Sequence, residues 1–248
     1  MKAYFIIMIV MAVLAVVVFF CLFRFKAGYG FLHTGGWGPT IDNKAAWVLM
    51  EAPAFLLMLW WTIRYGRGVA AIVMASLFLL HYFQRSFIFP LLMRGKGRMP
   101  VVIMAMGMLF NSINAYLIAG WLFRFGNYDS SWLGGPQFII GTVIFFLGMG
   151  INLQSDHVIR SLRKPGDHRH YIPRKGLYRY VTSANYFGEF VEWVGYAVLT
   201  WSPAGVLFAC WTFANLAPRS KSLTDKYIEE FGEEYSSLRR KNILPFIW

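Results

Sequence analysis

Apolar residues in this chain come in long unbroken runs, separated by short polar stretches. Residues 4–23 (YFIIMIVMAVLAVVVFFCLF) carry no charge and match the roughly 20 residues a helix needs to cross a bilayer. This run is longer than a secretory h-region and no small-residue cleavage signal follows it, so it is expected to be a retained first span. A Gly-rich loop, GYGFLHTGGWGPTIDNK, comes next. Further apolar runs lie near 46–63, 69–92, 100–123, 136–153, 184–200 and 203–217, the last pair hinged at Ser202-Pro203. A basic segment occupies 154–180. The tail, 218–248, is polar and reads as helical through TDKYIEEFGEEYSSLRRK. The pattern predicts an all-α integral membrane protein: one domain over 1–248, about seven transmembrane helices and a cytosolic helical tail.

Composition supports the membrane and removes the soluble alternative. Of 248 residues, 57% are hydrophobic and only 15% charged, too few to cover a soluble surface. The 23 Phe, 10 Trp and 13 Tyr suit interfacial belts. A net charge of +12 raises the question of nucleic acid, but the basic residues fall in the gaps between apolar runs rather than on a soluble face. With seven spans and the tail inside, the inner side holds Arg24, Lys26, Lys44, Arg94, Lys96 and Arg98. It also holds seven basic residues from Arg160 to Arg179 and six from Arg219 to Lys241. The outer side keeps Lys2, Arg64, Arg67 and Arg124, so nineteen face four and the tail is expected in the cytosol. The membrane is a bacterial inner membrane or the endoplasmic reticulum, membrane lipids are its partners, and no nucleic acid is expected.

Soluble nucleotide folds are excluded by what is missing: no GxGxxG follows a strand, and neither a P-loop nor HExxH is present. Cys21 and Cys210 both lie in apolar runs and are expected to be buried thiols, with no disulfide and no metal site.

Ionisable groups at membrane depth are costly and therefore candidates for function. Glu51 sits in WVLMEAPAF. His81, Tyr82 and Arg85 cluster in LHYFQRSF, with Arg85 a candidate ion-pair partner for Glu51. Glu189 and Glu192 in NYFGEFVEW share one helix face and call for a cation or a ligand donor between them. In GMGINLQSDHVIRSLRKPG, the spacing of Asn152, Asp156 and Arg163 sets an amide, a carboxylate and a guanidinium on one stripe of a continuing helix. That set suits a ligand with amide, ribose and phosphate groups, and equally the solvated face of a helix end.

From about residue 28 onward the sequence resembles the steroid 5-alpha-reductase (3-oxo-5-alpha-steroid 4-dehydrogenase) family. The likeness is closest in FLGMGINLQSDHVIRSLRKPG and IPRKGLYRYVTSANYFGEFVEWVGYA. WVLMEAPAF, LHYFQRSFIFPLLMRGK and the terminal ILPFIW follow in family order, so some nine tenths of the chain is covered. The resemblance implies a seven-span oxidoreductase that reduces the carbon 4–5 double bond of a 3-oxo-4-ene steroid with NADPH. It places the catalytic residues on Glu51 and Tyr82. NADPH contacts fall on Asn152, Asp156, Arg163, Asn185, Arg219 and Tyr227, with Glu189 close by and Tyr171 in the loop RHYIP. Departures from the family pattern are Leu223, often His in relatives, Met50, a glutamine in some, and His170-Tyr171, which stand where some relatives have Tyr and Arg. The tail EEFGEEYSSLRR is also similar to membrane methyltransferases of the isoprenylcysteine type. Alternatives to a steroid substrate are an enoyl or polyprenol-type enone, a methyltransferase using S-adenosylmethionine, and a transporter.

Overall fold

The computed structural model describes residues 1–25, 28, 30–32, 36–94, 97–164, 167 and 169–248. Lys26 and Lys96, counted above among the inner charges, and part of the Gly-rich loop lie outside the described residues.

Helix α1 (Lys2–Arg24) is apolar all round, yet buries only Tyr4, Met11 and Ala15. Those positions recur at helical spacing and form one protein-facing seam; the rest of the surface is fit for lipid. Two hydrogen bonds fasten the seam: Tyr4 Oη donates to Leu117 O (2.6 Å) and Trp211 Nε1 donates to Met11 O (2.8 Å). Helix α2 (Asn43–Tyr65) begins where Asp42 accepts from the backbone N–H groups of Lys44 and Ala45. Strand β1 (Thr40–Asp42) leads into it and pairs antiparallel with β2 (Arg98–Pro100), with Ile41 opposite Met99. This small sheet ties the entry of α2 to the entry of the helix that follows β2.

Helix α3 (Val69–Leu92) contains a π segment, Gln84–Ile88, in which Phe89 N reaches back to Gln84 O. Pro90 has no N–H and its ring would crowd the carbonyl of Ser86 in a regular α-turn, so the wider turn relieves the clash. Helix α4 (Val101–Phe125) closes on a π turn, and helix α5 (Pro136–Ser161) follows. These five helices are long and apolar enough to cross a membrane. Helix α6 (Ala184–Thr200) and helix α7 (Pro203–Phe231) form a hairpin. Its turn uses Trp201 in the left-handed region (φ 46°) and Ser202 Oγ accepting from Gly205 N (2.9 Å).

Helices α5 and α6 pack through glycines spaced seven apart on each. A Cβ added at Gly148 would lie 2.2 Å from Glu192 N, and one at Gly188 would lie 2.4 Å from Asn152 N. Lipid gives helices no hydrophobic reason to associate, so such close backbone approach is what holds them. The interior is aromatic: Phe78, Tyr82, Trp193 and Tyr196 are buried, and Trp193 meets Phe208 at 4.2 Å between ring centroids.

Three sequence expectations change. Helix α5 carries on through the start of the basic segment but ends at Ser161, short of the continuation expected to include Arg163. The tail has no continuous helix of its own: α7 extends unbroken to Phe231, Gly232 stops it at φ 53°, and after Glu233–Ser236 the chain leaves helical geometry. Cys21 and Cys210 are free but exposed, because their faces of α1 and α7 point away from the bundle.

Candidate active site

One cavity of about 800 Å³ opens between the helices, near the upper end of the range for ligand pockets, roughly 300–1,000 Å³. One part of its wall is apolar, with Met50, Ile103, Met106, Phe110, Phe208 and Trp211. Another part is cationic, with Arg94, Arg160, Arg163 and Arg219. Glu51, Tyr82, Asp156, Tyr171, Asn185, Glu189 and Tyr227 all line it, so nine of the ten predicted site residues reach one space once Arg163 and Arg219 are included.

The tenth, Asn152, does not line the cavity. Its Nδ2 donates to Asn185 O (3.0 Å), so it braces α6 against α5 behind a lining residue. Arg163 reaches the cavity, but not by the predicted stripe: α5 ends at Ser161, and Arg163 lies beyond it with Nε donating to Arg169 O (2.8 Å).

Glu51 and Tyr82 are joined by Asn111, a neutral residue that a reading of ionisable groups alone does not mark. Tyr82 Oη donates to Asn111 Oδ1 (3.1 Å), and Asn111 Nδ2 donates to Glu51 Oε2 (3.1 Å) and to Met50 O (2.8 Å). Both amide protons are thereby committed, which fixes which end of the amide faces the tyrosine. The signal was in the sequence, since Asn111 and Asn114 stand three apart inside the apolar run GMLFNSINAYL.

Arg85 is not the partner of Glu51. Its guanidinium donates to Asp156 Oδ2 (3.4 Å) and lies 3.8 Å from Glu189 Oε2. Its flat faces lie near the rings of Phe89 (4.4 Å) and Trp47 (5.0 Å). Asn185 Nδ2 donates to the other Asp156 oxygen (3.1 Å), so α3, α5 and α6 converge on one carboxylate. The Glu189–Glu192 pair resolves in the same way, each acid having its own partner. Glu189 faces Arg85, and Glu192 accepts from His81 Nδ1 at 2.8 Å, with both side chains buried.

The cationic wall is drawn from the segment after α3 (Arg94), the end of α5 and the residues beyond it (Arg160, Arg163) and α7 (Arg219). Arg219 Nε donates to Tyr186 Oη (2.8 Å), and Arg94 donates to the carbonyls of Arg160 and Arg163. Tyr171 Oη donates to Asp167 Oδ2 (2.6 Å), while Arg169 grips both oxygens of the same carboxylate. Hydrogen bonds from Arg169 and then Tyr171 hold Asp167 well below the usual carboxylate range; the same bond raises the Tyr171 phenol. Tyr227 stacks on Tyr235 with its plane within 13° at 4.9 Å. Buried Arg160 Nη1 has no hydrogen-bond partner among the described residues. A buried donor left open beside three further guanidiniums fits an anionic ligand, and the amide and carboxylate of Asn185 and Asp156 fit ribose and carboxamide groups.

Comparison with known proteins gives the family. The family model described as 3-oxo-5-alpha-steroid 4-dehydrogenase matches residues 97–248, a range that includes Asn111, Asp156 and Arg219 and begins after Glu51 and Tyr82. The chain is 42% identical over 215 residues to 3-oxo-5-alpha-steroid 4-dehydrogenase 1 of Homo sapiens, covering 84% of this chain and 81% of that protein. It is 37% identical over 237 residues to steroid 5-alpha-reductase DET2 of Arabidopsis thaliana, covering 90% and 88%. It is 37% identical over 243 residues to the DET2 protein of Gossypium hirsutum, covering 95% and 94%. With a cavity that joins an apolar wall, a paired acid and phenol and a cationic wall, the chain belongs to the 3-oxo-5-alpha-steroid 4-dehydrogenase family.

Proposed function

We propose that this protein reduces the carbon 4–5 double bond of 3-oxo-4-ene steroids to 5-alpha-3-oxosteroids, taking the steroid from the bilayer and using NADPH. The observation that carries the reading is the Glu51–Asn111–Tyr82 chain, set in one cavity with an apolar and a cationic wall. The activity in the family's name is that of its named relatives; these side chains are the reason to extend it here.

NADPH bound against the cationic wall would supply a hydride for carbon 5. Arg94, Arg160, Arg163 and Arg219 would meet its phosphates, Asp156 and Asn185 its sugar or carboxamide groups, and Tyr171 and Tyr227 its flanks. Met50, Phe110, Phe208 and Trp211 give the flat apolar contact that a steroid skeleton needs. As the hydride adds, negative charge builds on the ketone oxygen, and an O–H donor aimed there stabilises the enolate strongly in a site shielded from water. Asn111 already occupies Oε2 of Glu51, which leaves the other carboxyl oxygen to donate to the ketone when it carries the acid's proton. The Tyr82 hydroxyl, held beside it through Asn111, becomes the second donor when its proton turns from Asn111 Oδ1 to the ketone. A proton delivered to carbon 4, from Tyr82 or from water, completes the reduction.

In this reading α6 and α7 complete a seven-span topology, with the residues beyond Arg219 in the cytosol. The nineteen-to-four distribution of basic residues supports that orientation.

The test is NADPH oxidation by purified protein in detergent with progesterone or testosterone, beside the Glu51→Gln variant. Steroid-dependent oxidation that the variant loses is expected. NADPH binding without steroid turnover would move the substrate to another lipid enone, and binding of S-adenosylmethionine instead of NADPH would end the reductase reading.

A further inference from the structure

The chain from Tyr180 to Ser183, just ahead of α6, runs beside Lys241 and Asn242. Lys241 N donates to Tyr180 O (2.9 Å), Thr182 N to Lys241 O (2.8 Å) and Ser183 N to Asn242 O (3.1 Å). Beyond this pairing, Ile243 is buried against Leu216 and Ala217 of α7, and Phe19 of α1 packs on the same cluster. The Trp248 ring meets that of Phe23, near the end of α1, at 6.4 Å. The run is therefore level with the end of a membrane-crossing helix, where hydrocarbon gives way to headgroups.

At that level Phe246 and Ile247 are each 75% exposed. Beside them is a hollow of about 310 Å³, separate from the active-site cavity and lined by Arg179, Tyr180, Leu238, Arg239, Lys241 and Phe246. Three of the six are cations and none is an acid. No ion pair joins any of the three to a carboxylate among the described residues. Arg174 close by is paired with Glu234, so acids were available to this surface and were used elsewhere.

The backbone gives a second, independent observation. Among the described residues, three that are not glycine have positive φ, and two of them, Arg239 (48°) and Phe246 (66°), line this hollow. Such geometry is unfavourable for residues with a side chain and concentrates where a ligand requires a particular placement.

We propose that this hollow binds the headgroup of an anionic phospholipid of the surrounding bilayer. Arg179, Arg239 and Lys241 surround the phosphate, and Phe246 and Ile247 enter the acyl region beside it. The partner is identified by complementarity: unpaired cations meet an anion, and adjoining exposed apolar side chains meet hydrocarbon. The site lies outside the catalytic constellation, so its test is independent of the proposed reaction.

The experiment is native mass spectrometry of the full chain, solubilised with equal amounts of phosphatidylglycerol and phosphatidylcholine. Each basic residue near an anionic surface contributes about a fivefold gain, so three give a preference on the order of 100-fold for phosphatidylglycerol. Arg179→Gln/Arg239→Gln/Lys241→Gln should remove that preference, and Arg64→Gln/Arg67→Gln should leave it intact. A preference absent from the wild type, or unchanged in the triple variant, overturns the proposal. So does retention of a second copy of the chain that Phe246→Ser abolishes, since the patch would then be a protein contact. A wild-type measurement covers a triple variant that fails to fold. Unfolding temperature should rise with added phosphatidylglycerol but not with phosphatidylcholine or inorganic phosphate, and no selective rise would refute lipid binding here.

Discussion

Replacing Asn111 by leucine keeps the branched shape and heavy-atom count of the side chain and removes three hydrogen bonds at once. Tyr82 Oη loses its acceptor at 3.1 Å, Glu51 Oε2 loses a donor at 3.1 Å and Met50 O loses a donor at 2.8 Å. A buried polar group left without its partner costs about 1–3 kcal/mol, and two of the three groups are the proposed reacting pair. If about 2–4 kcal/mol of that loss appears in the barrier, turnover falls about 30- to 1,000-fold at roughly 1.4 kcal/mol per decade. The apolar wall that would hold the steroid is untouched, so KM should stay within about threefold, the pattern of an interaction made chiefly in the transition state. The assay is steady-state NADPH oxidation with steroid, run beside thermal unfolding to confirm the fold. Because Asn111 acts through both Glu51 and Tyr82, Glu51→Gln/Tyr82→Phe/Asn111→Leu should be little slower than Glu51→Gln/Tyr82→Phe. A folded Asn111→Leu enzyme with wild-type turnover would refute the reasoning, as would a loss in the triple variant that multiplies on that of the double.

Other perturbations have equally definite outcomes. Arg85→Met leaves Asp156 and Glu189 without their shared cation; breaking a buried pair from one side costs about 3–5 kcal/mol, to be read as lower unfolding temperature and yield. Arg219→Ala or Arg163→Ala should raise the dissociation constant for NADPH about 10-fold or more, the scale of a lost charge-assisted bond; lower turnover at saturating NADPH with unchanged affinity would contradict their assignment to binding. Gly188→Ala would push a Cβ to within 2.4 Å of Asn152 N and force α5 and α6 apart, so a loss of about 1–3 kcal/mol in stability is expected and a neutral result would refute the close approach. Asp167 is held below its unfolded pKa by Arg169 and Tyr171, so its contribution to loop order is present above the ordinary carboxylate range and lost as pH falls through the lowered folded value. NADPH affinity should therefore show no step near pH 4 that Asp167→Asn abolishes.

Much of the site was legible because charge inside an apolar run is conspicuous. Glu51, Glu189 and the Arg85 segment stood out against their surroundings, Tyr82 was marked only by the family resemblance, and all of them line one cavity. Pairing was not legible. Arg85 seemed the natural mate for Glu51 when only chain order was visible, but its position in the π segment presents it to α5 and α6. Asn111 escaped because a neutral amide does not announce itself as an ion does, although its burial demands partners. Asn152 and Arg163 show the limit of periodicity: the stripe holds only while the helix continues, and α5 stops between Asp156 and Arg163. The apolar runs located α1 to α5 well. Helices α6 and α7 were harder, since α6 carries Glu189 and Glu192 and the latter part of α7 is polar, so composition alone does not set their place in the bilayer.

The most direct test of the central claim follows one hydrogen. Protein in detergent is given a 3-oxo-4-ene steroid and NADPH carrying deuterium on the transferred position of the nicotinamide, and the product is analysed by mass spectrometry and NMR. The account predicts a 5-alpha-3-oxosteroid with deuterium on carbon 5 and solvent hydrogen on carbon 4, formed by the wild type and not by Glu51→Gln. Product without the label on carbon 5, or no steroid product from protein that binds NADPH, would contradict it.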